Sequence, residues 1–337
     1  MKPEDAQNND GQVDHIKNWK DHVHPELKPL MRWILDFSVN SWWKAHLLHV
    51  LLRLPVPVSA GVQVRKIKGI GAYFYPAGAD DDDDDDEQSS KNNSPSSAIL
   101  WIHGGGRIVG SPSGGGTAAS CSKLVTKFGI PVLSAEYRLA PNHAHPAALD
   151  DIISAYHWLA KKCRGGKIAV GGESAGGGLA AELCQRLLDE QSEMNVPLPV
   201  CQLLIYPMLD DRTCENESHS KVPPHLVWNN TSNHYAWSCY LGPDYKPGDE
   251  NLPKYASASR REDLSGLPPA WIHVGDLDLF HEECIEYSRR LKYHGVETEL
   301  VLTKGGFHGM MSMGTNEQPV LEVWDSLHGF GKEYLSD

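Results

Sequence analysis

No two of the seven cysteines form a C-x-x-C pair, and seven is an odd number, so the 337-residue chain offers neither a disulfide framework nor a zinc spacing. No metal and no organic cofactor are expected. Positive charge is also scarce: 31 Lys+Arg stand against 44 Asp+Glu, a formal net charge of -13. Without a basic stripe or basic residues interleaved with aromatics, no nucleic-acid partner is expected. Long apolar runs are missing too. The most apolar N-terminal stretch, residues 45–58, is too short to span a bilayer and is interrupted by His49, Arg53 and two prolines, so no stable membrane span is expected. The opening Met1-Lys2-Pro3-Glu4-Asp5 is polar, which argues against a secretory signal peptide. The expectation is a cytoplasmic protein with reduced thiols, in which the N-x-S/T matches at Asn92, Asn216, Asn229 and Asn230 carry no weight.

Much of the acid excess sits in residues 80–87, a block that repels itself and cannot be buried. It reads as part of a disordered acidic loop over about 78–97. It lacks the interspersed ligands and turns of a calcium loop. Beyond it, apolar runs of strand length alternate with helical patterns: strands at 98–102, 131–135, 167–170, 202–206, 271–274 and 299–303, helices at 116–128, 146–161, 175–189, 282–293 and 320–334. Such alternation implies right-handed crossovers and a mostly parallel central sheet flanked by helices. Ahead of it, Val62-Gln63-Val64-Arg65 and Ala72-Tyr73-Phe74-Tyr75 alternate as an antiparallel hairpin would. From residue 15 to 54 the pattern is helical and broadly apolar, with Trp33, Ile34, Phe37, Trp42, Trp43, Leu47, Leu48, Leu51 and Leu52 needing something to cover. The expected organisation is an N-terminal helical cap segment over 1–58 and a catalytic domain over 59–337, with a cap insertion at about 209–254 that interrupts the alternation.

Chemistry belongs at the carboxyl ends of such strands. Two glycine-rich stretches stand there. Gly172-Glu173-Ser174-Ala175-Gly176 follows one strand and opens a helix, the context in which G-x-S-x-G lifts a serine clear of the sheet. His103-Gly104-Gly105-Gly106 follows another, and its backbone N–H groups are unshielded by side chains. Acyl transfer passes through a tetrahedral oxyanion, and donors fixed where that charge develops are worth about 3 kcal/mol each. Ser174 is therefore the expected nucleophile, and the N–H groups of Gly105, Gly106 and Ala175 the expected oxyanion hole. A serine hydroxyl also needs a base, and the base an acid. His308, in Gly305-Gly306-Phe307-His308-Gly309 after the last strand, is the expected base, since His294 falls at a helix end and His328 inside a helix. For the acid, spacing leaves Asp276 and Asp278 open, both on the turn after Trp271-Ile272-His273-Val274.

From about residue 98 to 311 the chain resembles the hormone-sensitive-lipase-like carboxylesterases of the α/β-hydrolase fold. The resemblance rests on His103-Gly104-Gly105-Gly106, Tyr137-Arg138-Leu139-Ala140-Pro141, Pro146-Ala147-Ala148-Leu149-Asp150-Asp151, the stretch from Gly172 to Gly177, Leu267-Pro268-Pro269-Ala270, Asp278-Leu279-Phe280-His281-Glu282-Glu283 and Phe307-His308-Gly309. It implies Asp278, rather than Asp276, as the acid, and a lid built from the N-terminal helices and the later insertion. It also implies hydrolysis of short-to-medium acyl esters, a small-molecule ester being the expected partner. The alternatives are a non-catalytic receptor for a small ligand, an amidase or a lactonase. A homodimer is left open. Three positions depart from the family pattern. Glu173 replaces an aspartate and is expected to pair with Arg138; Asn142 replaces an acid. Arg107 stands where an aromatic or aliphatic side chain is usual, either as a cation near the pocket or turned away onto an acid.

Overall fold

In the computed structural model, residues 19–33, 38–52, 58–76, 95–215, 227–314 and 316–336 are described. The chain folds around an eight-stranded sheet in the order β1-β2-β4-β3-β5-β6-β7-β8. β1 (Val62–Ile67) and β2 (Gly71–Pro76) form the antiparallel hairpin, and β2 also runs antiparallel to β4 (Val132–Ala135). β3 (Ser97–Ile102), β5 (Lys167–Glu173), β6 (Cys201–Ile205), β7 (Ala270–Gly275) and β8 (Thr298–Thr303) join β4 in parallel register. β3, β6 and β7 are buried along their whole length, which is why their sequences are nearly continuous apolar runs rather than alternating ones. β1, at the sheet edge, alternates.

Among the described residues the longer helices are α1 (Trp42–Leu52), α2 (Gly115–Phe128), α3 (Ala147–Lys162), α4 (Ala175–Asp189), α5 (Asn230–Leu241), α6 (His281–Tyr293) and α7 (Gln318–Leu335), of which α2, α3, α4, α6 and α7 pack on the sheet. α4 is the most enclosed: from Ala175 to Leu187 nearly every residue is buried, because the sheet lies beneath it and the later loops above. α5 belongs to the insertion after β6, and Asn229 caps it by accepting the Ser232 N–H at 2.9 Å. Among the described residues no helix is long and apolar enough to cross a membrane.

The helical pattern of residues 15–54 is interrupted in the structure. Within the described part, this region forms one helical turn at Trp19–His22, a 3-10 turn at Lys28–Trp33 and α1. Pro25 and Pro29 cannot donate helical hydrogen bonds, so they divide the segment. Nor do its large apolar residues all find cover: Trp42 and Trp43 are 58% and 59% exposed, whereas Val23, Leu27, Leu30, Val39 and Ala45 enter the core. Ile34, Phe37 and Arg53 lie outside the described residues, as do the side chain of Trp33 and the acidic block at 80–87. The segment still reaches two places that matter. The His24 N–H donates to the Gly305 carbonyl, next to the loop carrying His308, and the Val39 N–H donates to Ser232 Oγ on α5.

Candidate active site

β5 ends in a turn so tight that Ser174 takes φ 56°, ψ -123°, a strained conformation for a residue with a side chain. The surroundings hold it there. Its N–H donates to Ile205 on the neighbouring strand, and its carbonyl accepts from Gly178 and Met208. Close approach dictates Gly176: a Cβ there would collide with the Ile102 carbonyl oxygen, where β3 passes into the glycine loop. The two glycine-rich stretches thus touch. Across this contact, the position of a Cβ on Gly104 would be 3.4 Å from Ser174 Cβ.

Three side chains from the ends of three strands meet at this edge. His308 Nε2 lies 3.0 Å from Ser174 Oγ, and His308 Nδ1 lies 2.9 Å from Asp278 Oδ2. All three groups are buried. Asp278 is fixed further by the Phe280 N–H, which donates to its Oδ1 at 2.9 Å. Asp276 does not share in this: its Oδ1 accepts the Gly305 N–H at 2.6 Å and its side chain is exposed. The His308 ring packs edge-on against Phe280, at 5.1 Å between centroids, and tilted against Tyr206 at 4.8 Å.

The glycine loop turns by positive φ at Gly105 (109°) and Gly106 (61°). Its own hydrogen bonds run from the N–H groups of Ile108 and Val109 back to the Gly105 carbonyl, which leaves the N–H groups of Gly105 and Gly106 outside the turn. Ala175 supplies the first N–H of α4, so the helix dipole adds to the same region. Trp228 of the insertion covers the loop: a Cβ on Gly106 would stand 2.5 Å from its ring, which is also 6.5 Å from the His308 ring.

Glu173 does not pair with Arg138, as expected from the sequence; Arg138 forks onto Asp151 at 2.8 Å instead. The reason is position. As the last residue of β5, Glu173 points to the opposite face from its neighbour and accepts hydroxyls from Ser120, Tyr206 (3.0 Å) and Ser312. Burial beside that carboxylate pushes the Tyr206 hydroxyl well above its ordinary pKa. Arg107 turns away onto an acid. Its Nη2 lies 2.6 Å from Glu182 Oε1, and both side chains are fully buried. Burial pushes the Glu182 carboxyl up to about 7, against the pull of Arg107, and Glu182 in turn holds the guanidinium charged. Neither Glu182 nor Trp228 nor the hydroxyls around Glu173 were singled out from the sequence. Only Glu182 left a trace there, as a lone charge among Leu179, Ala180, Ala181 and Leu183. Among the described residues no cluster of His, Cys, Asp and Glu is arranged to hold a metal ion.

Fold and site together define an α/β protein that presents a buried serine, imidazole and carboxylate at the carboxyl edge of a mostly parallel sheet, beside a glycine loop. A family model described as the alpha/beta hydrolase fold matches residues 99–312. The chain belongs to that family, in its hormone-sensitive-lipase-like group. It is 33% identical over 215 residues to a protein of Mycobacterium tuberculosis named Carboxylic ester hydrolase LipN, a match covering 59% of this chain and 56% of that one. It is 35% identical over 184 residues to Esterase LipI of the same organism, covering 53% and 55% of the two chains. The chain thus spans about half the length of the curated relatives it matches. Among solved structures, a bacterial heroin esterase superposes with a TM-score of 0.77 at 26% identity, covering 95% of this chain and all of that one.

Proposed function

We propose that the chain is a serine carboxylesterase acting on short-to-medium acyl esters through an acyl-enzyme. One observation carries the reading: Ser174 Oγ is 3.0 Å from His308 Nε2, while the other ring nitrogen is held 2.9 Å from Asp278. In this reading Nδ1 keeps its proton and donates it in a hydrogen bond to Asp278, so Nε2 is free to accept the proton of Ser174. Ser174 Oγ attacks the acyl carbon as that proton moves to Nε2. The carbonyl oxygen becomes an oxyanion facing the N–H groups of Gly105, Gly106 and Ala175. Collapse expels the alcohol, which takes the proton from Nε2 and leaves the acyl group on Ser174. Water then repeats the sequence, with His308 as base, and releases the acid. Asp278 stays ionised throughout and balances the imidazolium. The names of the relatives described above, all ester hydrolases, support the substrate class.

Trp228 lies against both Gly106 and His308 and so narrows the space beside the reacting carbon. A p-nitrophenyl acetate, butyrate, octanoate and palmitate series is therefore expected to give kcat/KM highest between acetate and octanoate. Palmitate should fall at least about tenfold below that maximum, the scale of a few misfit methylenes. A maximum at palmitate would overturn the chain-length reading, and no turnover of any ester would overturn the activity itself.

A further inference from the structure

Arg107 directly follows the oxyanion glycines and takes a left-handed backbone conformation, φ 64°, that costs a residue with a Cβ. Its side chain is buried and contacts four separate parts of the fold. Nη2 reaches Glu182 on α4 at 2.6 Å and the Met208 carbonyl after β6 at 3.4 Å, and Nη1 donates to the Ala256 carbonyl at 3.1 Å. The guanidinium carbon lies 4.3 Å from the Trp237 ring centroid and 4.1 Å from that of Tyr240, both on α5. Tyr240 closes the circuit, its hydroxyl lying 3.3 Å from the second oxygen of Glu182. At the other end of the residue, the Arg107 carbonyl accepts the Ala140 N–H.

Glu182 stands two turns beyond Ala175 on the same helix. The Arg107–Glu182 pair therefore joins the element offering the Gly105 and Gly106 amides to the element offering the Ala175 amide. The three donors belong to two pieces of chain, and this buried fork is a direct side-chain tie between them. We infer that Arg107 is a positioning residue: it sets the relative placement of the two halves of the oxyanion hole and couples that placement to α5. This rests on the esterase reading above and deepens it. A planar guanidinium suits the task, since it holds carboxylate, two carbonyls and two rings at once, which an ammonium group cannot do. The inferred role also accounts for the charge of a side chain that the substrate does not meet.

Two variants test it. Arg107→Lys keeps the charge and loses the fork; Arg107→Met combined with Glu182→Leu removes both charges and keeps the volume, which avoids a stranded buried ion. Each is compared with wild type by thermal unfolding, by kcat and KM on p-nitrophenyl butyrate, and by the Ki of a trifluoromethyl ketone, whose adduct with Ser174 places an oxyanion on the same donors. The expected result is cooperative unfolding, KM within about threefold of wild type, kcat lower by about 10- to 100-fold, and a Ki raised by a matching factor. If kcat and Ki stay within about twofold of wild type in either folded variant, the inference is overturned. So it is if KM alone moves, which would place Arg107 on the substrate pocket, or if neither variant unfolds cooperatively, which would leave it a stability element only. A wild-type protein without esterase turnover would overturn the parent reading and this one together, an outcome distinct from active wild type with indifferent variants.

Discussion

Ser174→Ala is expected to lower kcat/KM on p-nitrophenyl butyrate by about a million-fold while the protein stays folded. The substitution removes one hydroxyl whose described partner is His308 Nε2 at 3.0 Å. It leaves untouched the backbone bonds that hold the turn, from the Ser174 N–H to Ile205 and to its carbonyl from Gly178 and Met208. Stability should therefore move by about 1 kcal/mol or less, the net worth of one hydrogen bond. In the proposed mechanism activity depends on that oxygen in a different way, because no acyl-enzyme would form without it. The amides of Gly105, Gly106 and Ala175 remain, so a residual rate above that in water is expected from oxyanion stabilisation of direct water attack. Steady-state kinetics beside a thermal melt separates the two effects. A folded variant within about tenfold of wild type would sink the nucleophile assignment.

Asp278→Asn is expected to cost on the order of ten-thousand-fold in kcat, although the new side chain has nearly the same shape. The loss comes through the proton on His308. Asp278 Oδ1 is anchored by the Phe280 N–H at 2.9 Å, so an asparagine keeps its oxygen there and turns its amide NH2 towards His308 Nδ1. Nδ1 must then accept, the proton moves to Nε2, and Nε2 is no longer able to take the proton of Ser174. Asp276→Asn supplies the control. Its carboxylate faces the Gly305 N–H rather than the imidazole, so kcat should change by no more than about threefold. The assignment fails if the two variants lose activity equally.

The sheet was legible because burial on both faces writes continuous apolar strands into the chain, as in Ala98-Ile99-Leu100-Trp101-Ile102, and because helices of ten or more residues separate them. The site residues were legible for a related reason. Tight approach at strand ends demands glycine, and glycine clusters flag the turns that carry Ser174 and His308. Spacing could not choose between Asp276 and Asp278, because both sit on one turn and only the third dimension separates the Gly305 amide from the His308 ring. The partner of Arg107 was illegible for a similar reason. Glu182 lies 75 residues away and Ala256 149 residues away, and no local pattern reports contacts of that range. Glu173 was expected on Arg138 because the resemblance marks it only as an acid one methylene longer than the usual aspartate, whereas the alternation of β5 sends it to the face where Tyr206 and Ser312 wait. In the N-terminal segment the hydrophobic period showed helical character but not its breaks, which Pro25 and Pro29 impose.

The proposed esterase activity depends on Ser174 being an activated nucleophile at the carboxyl edge of the sheet. Covalent labelling by a fluorophosphonate, read by intact mass and peptide mapping, tests this most directly. The prediction is about one label per chain, located on Ser174, abolished in Ser174→Ala and strongly slowed in His308→Ala. Labelling of a different residue, or an unreactive Ser174 in folded wild-type protein, would contradict it.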